Sequence, residues 1–435
     1  MKRYAIERLI EWKTSKKRKP LILRGARQVG KTWLMKEFGA THFENIAYID
    51  FDNNERMRIL FDGDYDISRL IDGLQLESGE KINPQTTLIV FDEVQEVPNA
   101  LSSLKYFCEG APEYAIIAGS SLLGGSSFKG TTFPVGKVEF YHLYPLSFYE
   151  FLEAISEKDL VELLRKKDWK SVTAFATKIT DLLRKYFYVG GMPEAVDEYA
   201  RTKDYAGIRK IHEQILFTYE QDFSKHAPGN AIPRIRGIWN SVPAQLSRDS
   251  KKFSPGIVKK GSRLSDYEFA LQWLLDCGLL YKVRQVSKPS IPLIGYETGF
   301  FKIFMHDVGL LSTKYELDIK TLLDGNRIFE EFEGSLTEQY VLQELIATGV
   351  TPFYWSSSGT AEVDFVFRHR SDIFPLEVKA EENLHSKSLK VYSEKFNPPV
   401  SLRTSLRDFR RESRLINIPL YAIGTDFWEG SISKS

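Results

Sequence analysis

A glycine-rich stretch at residues 25–32 constrains the fold of this 435-residue chain more than any other feature. It matches the pattern G-x-x-x-x-G-K-[ST], in which glycines allow backbone N–H groups to close around phosphate oxygens. The apolar run Leu21–Leu23 precedes it, and a helix-like segment opens at Trp33. This strand–loop–helix context predicts a nucleotide phosphate site at a helix N-terminus. The predicted phosphate-binding residues are Gly25, Ala26, Arg27, Gln28, Val29, Gly30, Lys31 and Thr32.

Two side chains of this loop and two acids further along the chain have predicted roles in nucleotide chemistry. Lys31 is expected to reach the β- and γ-phosphates, and Thr32 to hold Mg²⁺. The apolar run 87–91 ends in Asp92, expected to bind Mg²⁺, and Glu93, expected to orient the attacking water. Ligands of open α/β sheets bind at the carboxyl ends of strands, so two acids there favour an ATP and Mg²⁺ site over an ordinary buried strand.

Strand-like and helix-like segments alternate through the first 143 residues. The strand-like runs are 21–23, 46–51, 87–91, 114–118 and 138–143. This alternation predicts an α/β fold with a parallel sheet covered by helices on both faces. Ser120 follows the fourth run, where it either senses the γ-phosphate or belongs to a plain turn.

The charged residues are distributed unevenly, although the chain as a whole carries a formal net charge of only +1. Residues 44–96 hold 13 acids and 4 bases, a net charge of −9, whereas residues 230–290 hold 11 bases and 4 acids, a net charge of +7. An acidic front and a basic middle indicate separate roles, while each run taken alone also suits a solvated face.

Cysteine usage and hydropathy bear on the compartment. Cys108 and Cys277 have neither disulfide nor zinc spacing, which favours a reducing compartment. No signal peptide and no run of about 18 apolar residues is recognised. A cytoplasmic protein without a membrane partner is therefore expected.

The basic middle, residues 230–312, has the pattern of a winged helix. A helix is predicted over Tyr267–Cys277, followed by strands over 279–286 and 300–305. Such an element either places a helix in a nucleic-acid groove or serves only for packing or protein contact. The residues predicted to meet phosphates are Lys251, Lys252, Lys259, Lys260 and Arg263.

The last third of the chain combines carboxylates and a lysine in a suggestive order. A helix over Phe332–Thr348 carries Glu338, and Asp364, Glu377 and Lys379 lie on the strand-like runs that follow. The order helix–strand–strand–strand–helix–strand with D…E-x-K is that of restriction-endonuclease-like nucleases. Glu338, Asp364 and Glu377 are predicted ligands of a hard divalent cation, and Lys379 is predicted to position or activate water, with Glu362 as a further candidate. The alternative is surface salt bridging among ordinary strand charges.

Several motifs together resemble a large prokaryotic family of AAA-superfamily ATPases followed by a C-terminal domain of unknown function. The motifs are residues 23–32, 89–95, 118–121, 144–152, 190–195, 222–226, 338–341 and 361–365. The resemblance covers nearly the whole chain and implies an architecture more than a purpose. Members often carry Gly-Arg, an arginine-finger candidate, where this chain has Gly136-Lys137. Lys137 supplies charge but not the bidentate fork of arginine.

These observations predict four segments. They are a P-loop AAA-type ATPase domain (1–150), a helical lid or connector (151–229), a winged-helix-like domain (230–312) and an α/β restriction-endonuclease-like domain (313–435). The favoured function is ATP binding and hydrolysis, with ATP and Mg²⁺ as cofactors, coupled to a metal-dependent nuclease-like domain acting on DNA or RNA. The alternatives are a nucleotide-gated switch whose C-terminal domain binds a partner without cutting, and a DNA-binding regulator. An oligomer is left open.

Overall fold

The computed structural model describes residues 1–121, 134–323, 334–357, 361–380 and 387–424. The chain forms two compact units. The N-terminal unit comprises Arg3–Tyr144 and the short segment Asp276–Gly278. The C-terminal unit comprises residues 1–2, 145–275 and 279–435.

A parallel sheet forms the centre of the N-terminal unit. Its described strands are β1 (Leu21–Arg24), β2 (Asn45–Asp50), β3 (Thr87–Asp92), β4 (Ala115–Ser120) and β5 (Glu139–His142). They are ordered β2-β3-β4-β1-β5, and all neighbours pair in parallel. Every residue of β3 and β4 is buried, as their continuous apolar runs require. The predicted P-loop type of parallel α/β sheet is confirmed.

One helix precedes these strands, and four others connect β1 to β2, β2 to β3 and β3 to β4, as parallel pairing demands. They are α1 (Ala5–Thr14), α2 (Lys31–His42), α3 (Glu55–Asp62), α4 (Ile67–Ser78) and α5 (Pro98–Gly110). Asn54 and Asp66 cap α3 and α4 by accepting hydrogen bonds from Met57 N and Arg69 N. A buried group of Phe51, Phe61 and Phe91 rings, with centroids 5.2–5.9 Å apart, packs α3 against the sheet.

The C-terminal unit begins with helices, several of which lie beyond the helical segment expected over residues 151–229. They are α6 (Phe148–Ala154), α7 (Lys158–Lys166), α8 (Trp169–Ala174), α9 (Ala176–Val189), α10 (Pro193–Thr202), α11 (Tyr205–His226), α12 (Ile232–Leu246), α13 (Pro255–Val258), α14 (Glu268–Asp276), α15 (Val308–Lys314) and α16 (Ile319–Leu323). Ser147 and Glu150 form a capping box at the start of α6.

Strands from two predicted domains share one sheet in this unit. The described strands are β6 (Leu280–Val286), β7 (Glu297–Met305), β8 (Phe353–Ser356), β9 (Glu362–His369), β10 (Asp372–Val378), β11 (Ser401–Ser405), β12 (Arg410–Glu412) and β13 (Leu415–Pro419). Their order is β12-β13-β11-β10-β9-β8-β6-β7, and the β6–β7 hairpin joins the others through parallel pairing of β6 with β8. The sheet is thus continuous across the predicted boundary at residue 312, and that boundary stays a prediction.

Two further helices complete the element order expected near the C-terminus. They are α17 (Ser335–Ala347) and α18 (Lys387–Phe396). The sequence α17–β8–β9–β10–α18–β11 matches the predicted order, although residues 332–333 of the predicted first helix lie outside the described residues. The endonuclease-like identity of this arrangement stays a prediction.

A buried polar network holds α17 in place. The Gln339 amide pairs with both the N–H and the carbonyl of Met305, at 2.9 and 2.7 Å. Gln343 donates to the Tyr186 hydroxyl at 2.7 Å and accepts from Val308 N at 3.0 Å. A buried amide without hydrogen-bonding partners destabilises the folded protein. This network therefore fixes the position of α17 and of Glu338, which α17 carries.

Candidate functional site

The glycine-rich loop has backbone angles that its sequence allows. Gly25 has φ of +155° and Gly30, which precedes α2, has φ of +93°. A Cβ on Gly25 would collide with the carbonyl oxygen of Leu143. Gln28 also takes a left-handed angle, φ +66°, at the tip of the loop. The first glycine is therefore required both by conformation and by the close approach of the neighbouring chain.

Lys31 is buried at the start of α2. Its ammonium group donates hydrogen bonds to the carbonyl oxygens of Gly25 at 3.0 Å and Ala26 at 2.8 Å. Burial lowers the pKa of Lys31 to about 8, although the charges of Glu93 and Asp92 oppose the shift. The loop thus contains a desolvated cation, which an anionic ligand would stabilise.

The two predicted magnesium ligands are in direct contact. The Thr32 hydroxyl donates to Asp92 Oδ2 at 2.6 Å, and the Tyr48 hydroxyl donates to the same oxygen at 2.9 Å. Asp92 Oδ1 accepts from Glu93 N at 3.0 Å. Burial, followed by the charge of Asp92, raises the pKa of Tyr48, so this phenol remains a donor. Sequence reasoning missed Tyr48, which comes from β2 and meets Asp92 only because β2 and β3 are neighbours.

Glu93 is held by two side chains at the carboxyl end of β3. Its Oε2 accepts from Gln95 Nε2 at 2.5 Å, and its Oε1 accepts from the Ser121 hydroxyl at 3.1 Å. Ser120, the predicted γ-phosphate sensor, is 1% exposed, and its hydroxyl makes no hydrogen bond within the described residues. Sequence reasoning missed Gln95 and Ser121, for which the signal was polar residues adjoining two apolar strands.

Lys137, which stands where members of the similar family often carry an arginine-finger candidate, is on the surface. Its ammonium group pairs with Glu109 at 2.9 Å, and both side chains are about 41–42% exposed. His142, one strand away from the loop, has its pKa lowered to about 4 by burial and by the charges of Lys31 and Arg24. It is therefore neutral at physiological pH.

These residues fit a nucleotide with Mg²⁺. A desolvated cation, a hydroxyl–carboxylate pair and a buried hydroxyl without a hydrogen-bonding partner in the described chain lie around one loop at a helix N-terminus. Lys31 would meet phosphate oxygens, while Thr32 and Asp92 would hold the metal.

The predicted C-terminal residues also come together, but lysines lie among them. Lys251 contacts Glu338 Oε1 at 2.5 Å, and Lys302 lies 3.8 Å from Glu338 Oε2. Lys302 also contacts Glu362 at 2.6 Å, and Lys379 contacts Glu377 at 3.0 Å. We call these three lysines, with Glu338, Glu362, Asp364 and Glu377, the acid–lysine cluster.

Burial and charge compete within this cluster. Burial would lower the pKa of Lys302, but Glu338, Glu362 and Asp364 outweigh it and raise that pKa. Burial would raise the pKa of Glu338, but Lys251 and Lys302 outweigh it and lower that pKa. Asp364 Oδ2 accepts from Val378 N at 2.8 Å, yet burial and the charges of Glu338 and Glu377 raise the pKa of Asp364 well above its ordinary value.

A divalent cation does not fit this arrangement while the lysines contact these carboxylates. Within the described ranges, no group of three or more His, Cys, Asp and Glu side chains is placed to hold a metal ion. The positive charge beside Glu338 and Glu362 comes from lysine. Sequence reasoning missed Lys302, which lies on β7, the strand at one edge of the sheet.

The basic middle differs from its prediction at one residue. Lys251 is 6% exposed and bound to Glu338, so it is not available to a phosphate backbone. Lys259, Lys260 and Arg263 are exposed, and Lys252 lies 5.1 Å from the Phe300 ring centroid. Helices α12–α14 followed by the β6–β7 hairpin give the expected element order. The winged-helix assignment itself stays a prediction.

Family models match three stretches of the chain. Residues 17–152 match an AAA domain (AAA_14), which agrees with the sheet and the loop described above. Residues 180–321 match one domain of unknown function (DUF8612), and residues 333–423 match another (DUF4143). The N-terminal part is therefore similar to an AAA domain, over less than half of the chain.

Comparisons with whole proteins add little. Among curated proteins, none matches this chain. Aeropyrum pernix ORC1 in complex with DNA aligns at 12% identity over 73% of this chain and 93% of its own, with a TM-score of 0.26. Drosophila ORC bound to DNA aligns at 13% over 72% and 94%, with a TM-score of 0.26, and C. elegans PCH-2 at 14% over 63% and 65%, with a TM-score of 0.22. Scores this low carry no inference about this chain.

Among the described residues, no helix is long and apolar enough to cross a membrane.

Proposed function

We propose that the N-terminal unit binds Mg²⁺-ATP and hydrolyses it. The observation that supports this most is the 2.6 Å contact between Thr32 and Asp92, beside a loop that holds the desolvated ammonium group of Lys31. A threonine hydroxyl and a strand-end carboxylate are the usual protein ligands of Mg²⁺ in P-loop sites. The metal ion, when bound, neutralises the charge that develops on the phosphates.

Each residue of the site has a definite part in this proposal. The loop N–H groups from Gly25 to Gly30 bind phosphate oxygens, and Lys31 places its charge against the terminal phosphates. Glu93 orients the attacking water, and Ser120 donates its hydroxyl toward the γ-phosphate. The N-terminus of α2 adds the positive end of its dipole.

Calorimetry tests nucleotide binding. Lys31→Ala should abolish ATP binding, because it removes the one ammonium group within the loop. Lys17→Ala removes an exposed lysine of the linker before β1 and serves as the matched control, with affinity unchanged. Equal ATP affinity in Lys31→Ala and in the wild type would overturn the assignment.

We propose further that the C-terminal unit acts on nucleic acid through a nuclease-like domain. The helix–strand order supports this, as does the electrostatic interaction of Asp364 with both Glu338 and Glu377. The lysine contacts favour the alternative of a nucleotide-gated switch, in which this domain binds a partner without cutting it.

A cleavage assay separates the two candidates. It should use single-stranded, double-stranded and branched DNA as well as RNA, with ATP and with Mg²⁺ or Mn²⁺. Nuclease action predicts cleavage that is lost in Asp364→Asn and Lys379→Ala and kept in Asp372→Asn, a change at the exposed start of β10. No cleavage of any substrate, in protein that hydrolyses ATP, supports the switch.

A further inference from the structure

Two buried lysines contact carboxylates of α17 and β9 from elsewhere in the same unit. Lys302 belongs to β7 and is 1% exposed, and Lys251 lies between α12 and α13 and is 6% exposed. Lysine is almost never buried unless it is paired. Here the pairing is with Glu338 and Glu362, so both lysines are built into the cluster rather than lying across its surface.

The two lysines differ in how firmly the backbone holds them. Lys302 pairs in register with Val283 on β6, so its position is fixed by the sheet. Lys251 lies on an irregular segment, fastened two residues later where Phe253 N donates to Phe301 O at 2.8 Å and the two rings stack at 5.3 Å. Lys251 is therefore the lysine that can leave the cluster without disturbing a strand.

We propose that Lys251 and Lys302 take the place of a divalent cation in the acid–lysine cluster, and that Lys251 closes the site to Mg²⁺ and Mn²⁺. This rests on the proposed nuclease-like role and adds a state in which the site is shut. Two ammonium groups within 4 Å of Glu338 repel a further cation and occupy the oxygens that it would need. Hard cations bind through several oxygens. When the lysines occupy the oxygens of Glu338, too few carboxylate oxygens remain to bind such a cation.

Manganese binding to the full chain without nucleotide tests the proposal. Wild-type protein should show no saturable Mn²⁺ binding by calorimetry or electron paramagnetic resonance. Lys251→Met keeps the length of the side chain and removes its charge, and it should show saturable Mn²⁺ binding, at least about tenfold tighter than the weakest binding detectable in wild type. That gain should disappear when Asp364→Asn is added, which assigns the ion to this cluster.

Three further variants provide two controls and a substitute for Lys251→Met. Lys251→Arg retains the charge and should stay closed, and Lys252→Met removes the neighbouring, half-exposed lysine and should behave as wild type. Mn²⁺ should raise the unfolding temperature of Lys251→Met and not that of wild type, because ligand binding stabilises the folded state. If Lys251→Met does not fold, Lys251→Gln carries the same test while keeping a donor toward Glu338.

Either of two results overturns the proposal. One is Asp364-dependent Mn²⁺ binding in wild type as tight as in Lys251→Met, and the other is no gain of binding in a folded Lys251 variant. Since the readout is metal binding, failure of the proposed nuclease activity remains distinguishable: a variant that gains Mn²⁺ without cutting nucleic acid supports the closure and contradicts cleavage.

Discussion

Glu93 stands at a strained position in the nucleotide site. It has φ of +51°, a left-handed angle that is uncommon for a residue other than glycine. Its carboxylate is nevertheless oriented, because Gln95 and Ser121 donate to its two oxygens. Strain that is held by neighbouring hydrogen bonds is frequent at functional sites, where it pre-orients a group.

The first prediction is that Glu93→Gln retains ATP binding and loses turnover. The amide keeps the shape of the side chain but lacks the carboxylate that would accept a proton from the attacking water, so the steady-state rate should fall roughly 10²- to 10⁴-fold. Glu113→Gln, an exposed change in the same unit, should leave the rate unchanged. A wild-type rate in Glu93→Gln would remove Glu93 from the mechanism.

The second prediction concerns the pH dependence of ATP affinity. Burial lowers the pKa of Lys31 to about 8 in the free protein, and bound phosphates should raise it by their negative charge. Lys31 is then protonated with or without ATP below about pH 8, whereas above it binding must take up a proton. Affinity should therefore be full below about pH 8 and decrease as the pH rises toward about 10.

Calorimetry in two buffers of different ionisation enthalpy measures this proton uptake. Uptake should be near zero at about pH 7 and positive at about pH 9. Equal affinities at the two values, or proton release at the higher one, would contradict a low pKa for Lys31.

Sequence reasoning identified the residues of the nucleotide site that belong to motifs and missed those that only the sheet order brings in. Lys31, Thr32, Asp92 and Glu93 follow from two local patterns. Tyr48 and Ser121 come from β2 and the end of β4, which flank β3, and no local pattern specifies that neighbourhood. Lys302 was missed for the same reason, since its partners lie on α17 and β9.

At the scale of elements, the structure gives a physical reason for one motif of the family resemblance, residues 190–195, which begins with the Gly190–Gly191 turn. Gly190 has φ of +68° and ends α9, where a Cβ would collide with Asp307 Oδ1 and approach Gly309 Cα at 2.8 Å. Asp307 accepts from Gly191 N at 2.6 Å and from Leu310 N at 2.9 Å. The turn thus joins α9 to α15 through a buried carboxylate.

The third prediction is that Gly190→Ala destabilises the protein. The left-handed angle and the collision with Asp307 should together lower the free energy of unfolding by at least about 1–3 kcal/mol. Gly229→Ala, where a Cβ meets nothing within 4 Å, should change it by no more than about 0.5 kcal/mol. Denaturant titration measures both, and equal midpoints would show that the turn rearranges at little cost.

The fourth prediction concerns the exposed basic residues beside α13. If this element binds nucleic acid, Lys259→Glu with Lys260→Glu should weaken binding to all sequences and reduce its salt dependence, because fewer phosphates are neutralised. Lys16→Glu with Lys17→Glu makes the same charge change in the linker before β1 and should have no effect. Binding that is insensitive to salt, or absent, would favour a packing role for this element.

Local patterns predicted most helices and strands but not how the strands assemble. Periodicity placed β6, expected over 279–286 and observed over Leu280–Val286, within a residue of its bounds, but it did not indicate that β6 is a neighbour of β8. Their parallel pairing, Arg284 with Phe353 through Val286 with Trp355, joins residues about 69 positions apart. Strand pairing between residues so far apart in sequence depends on tertiary packing, and a local sequence pattern does not specify it.

At the scale of the whole molecule, the division of the chain follows the sheets. The N-terminal unit ends at Tyr144 and includes the segment Asp276–Gly278, while the ATPase domain expected over residues 1–150 stays a prediction. The three further predicted domains fall within one compact unit, since the β6–β7 hairpin continues the sheet of β8–β13. The acid–lysine cluster depends on this continuity, because Lys302 and Glu362 come from opposite sides of the predicted boundary.

The shared sheet also limits which fragments of the chain can fold on their own. A fragment limited to residues 333–423, the span of the last family model, would lose β6 and leave the backbone N–H and carbonyl groups of β8 without their partner strand. Phe353 and Trp355 on β8 are buried, so the newly exposed edge would be apolar as well as unpaired. Such edges recruit other chains and aggregate. A soluble fragment must therefore begin before Leu280, whereas the last family model begins only at residue 333.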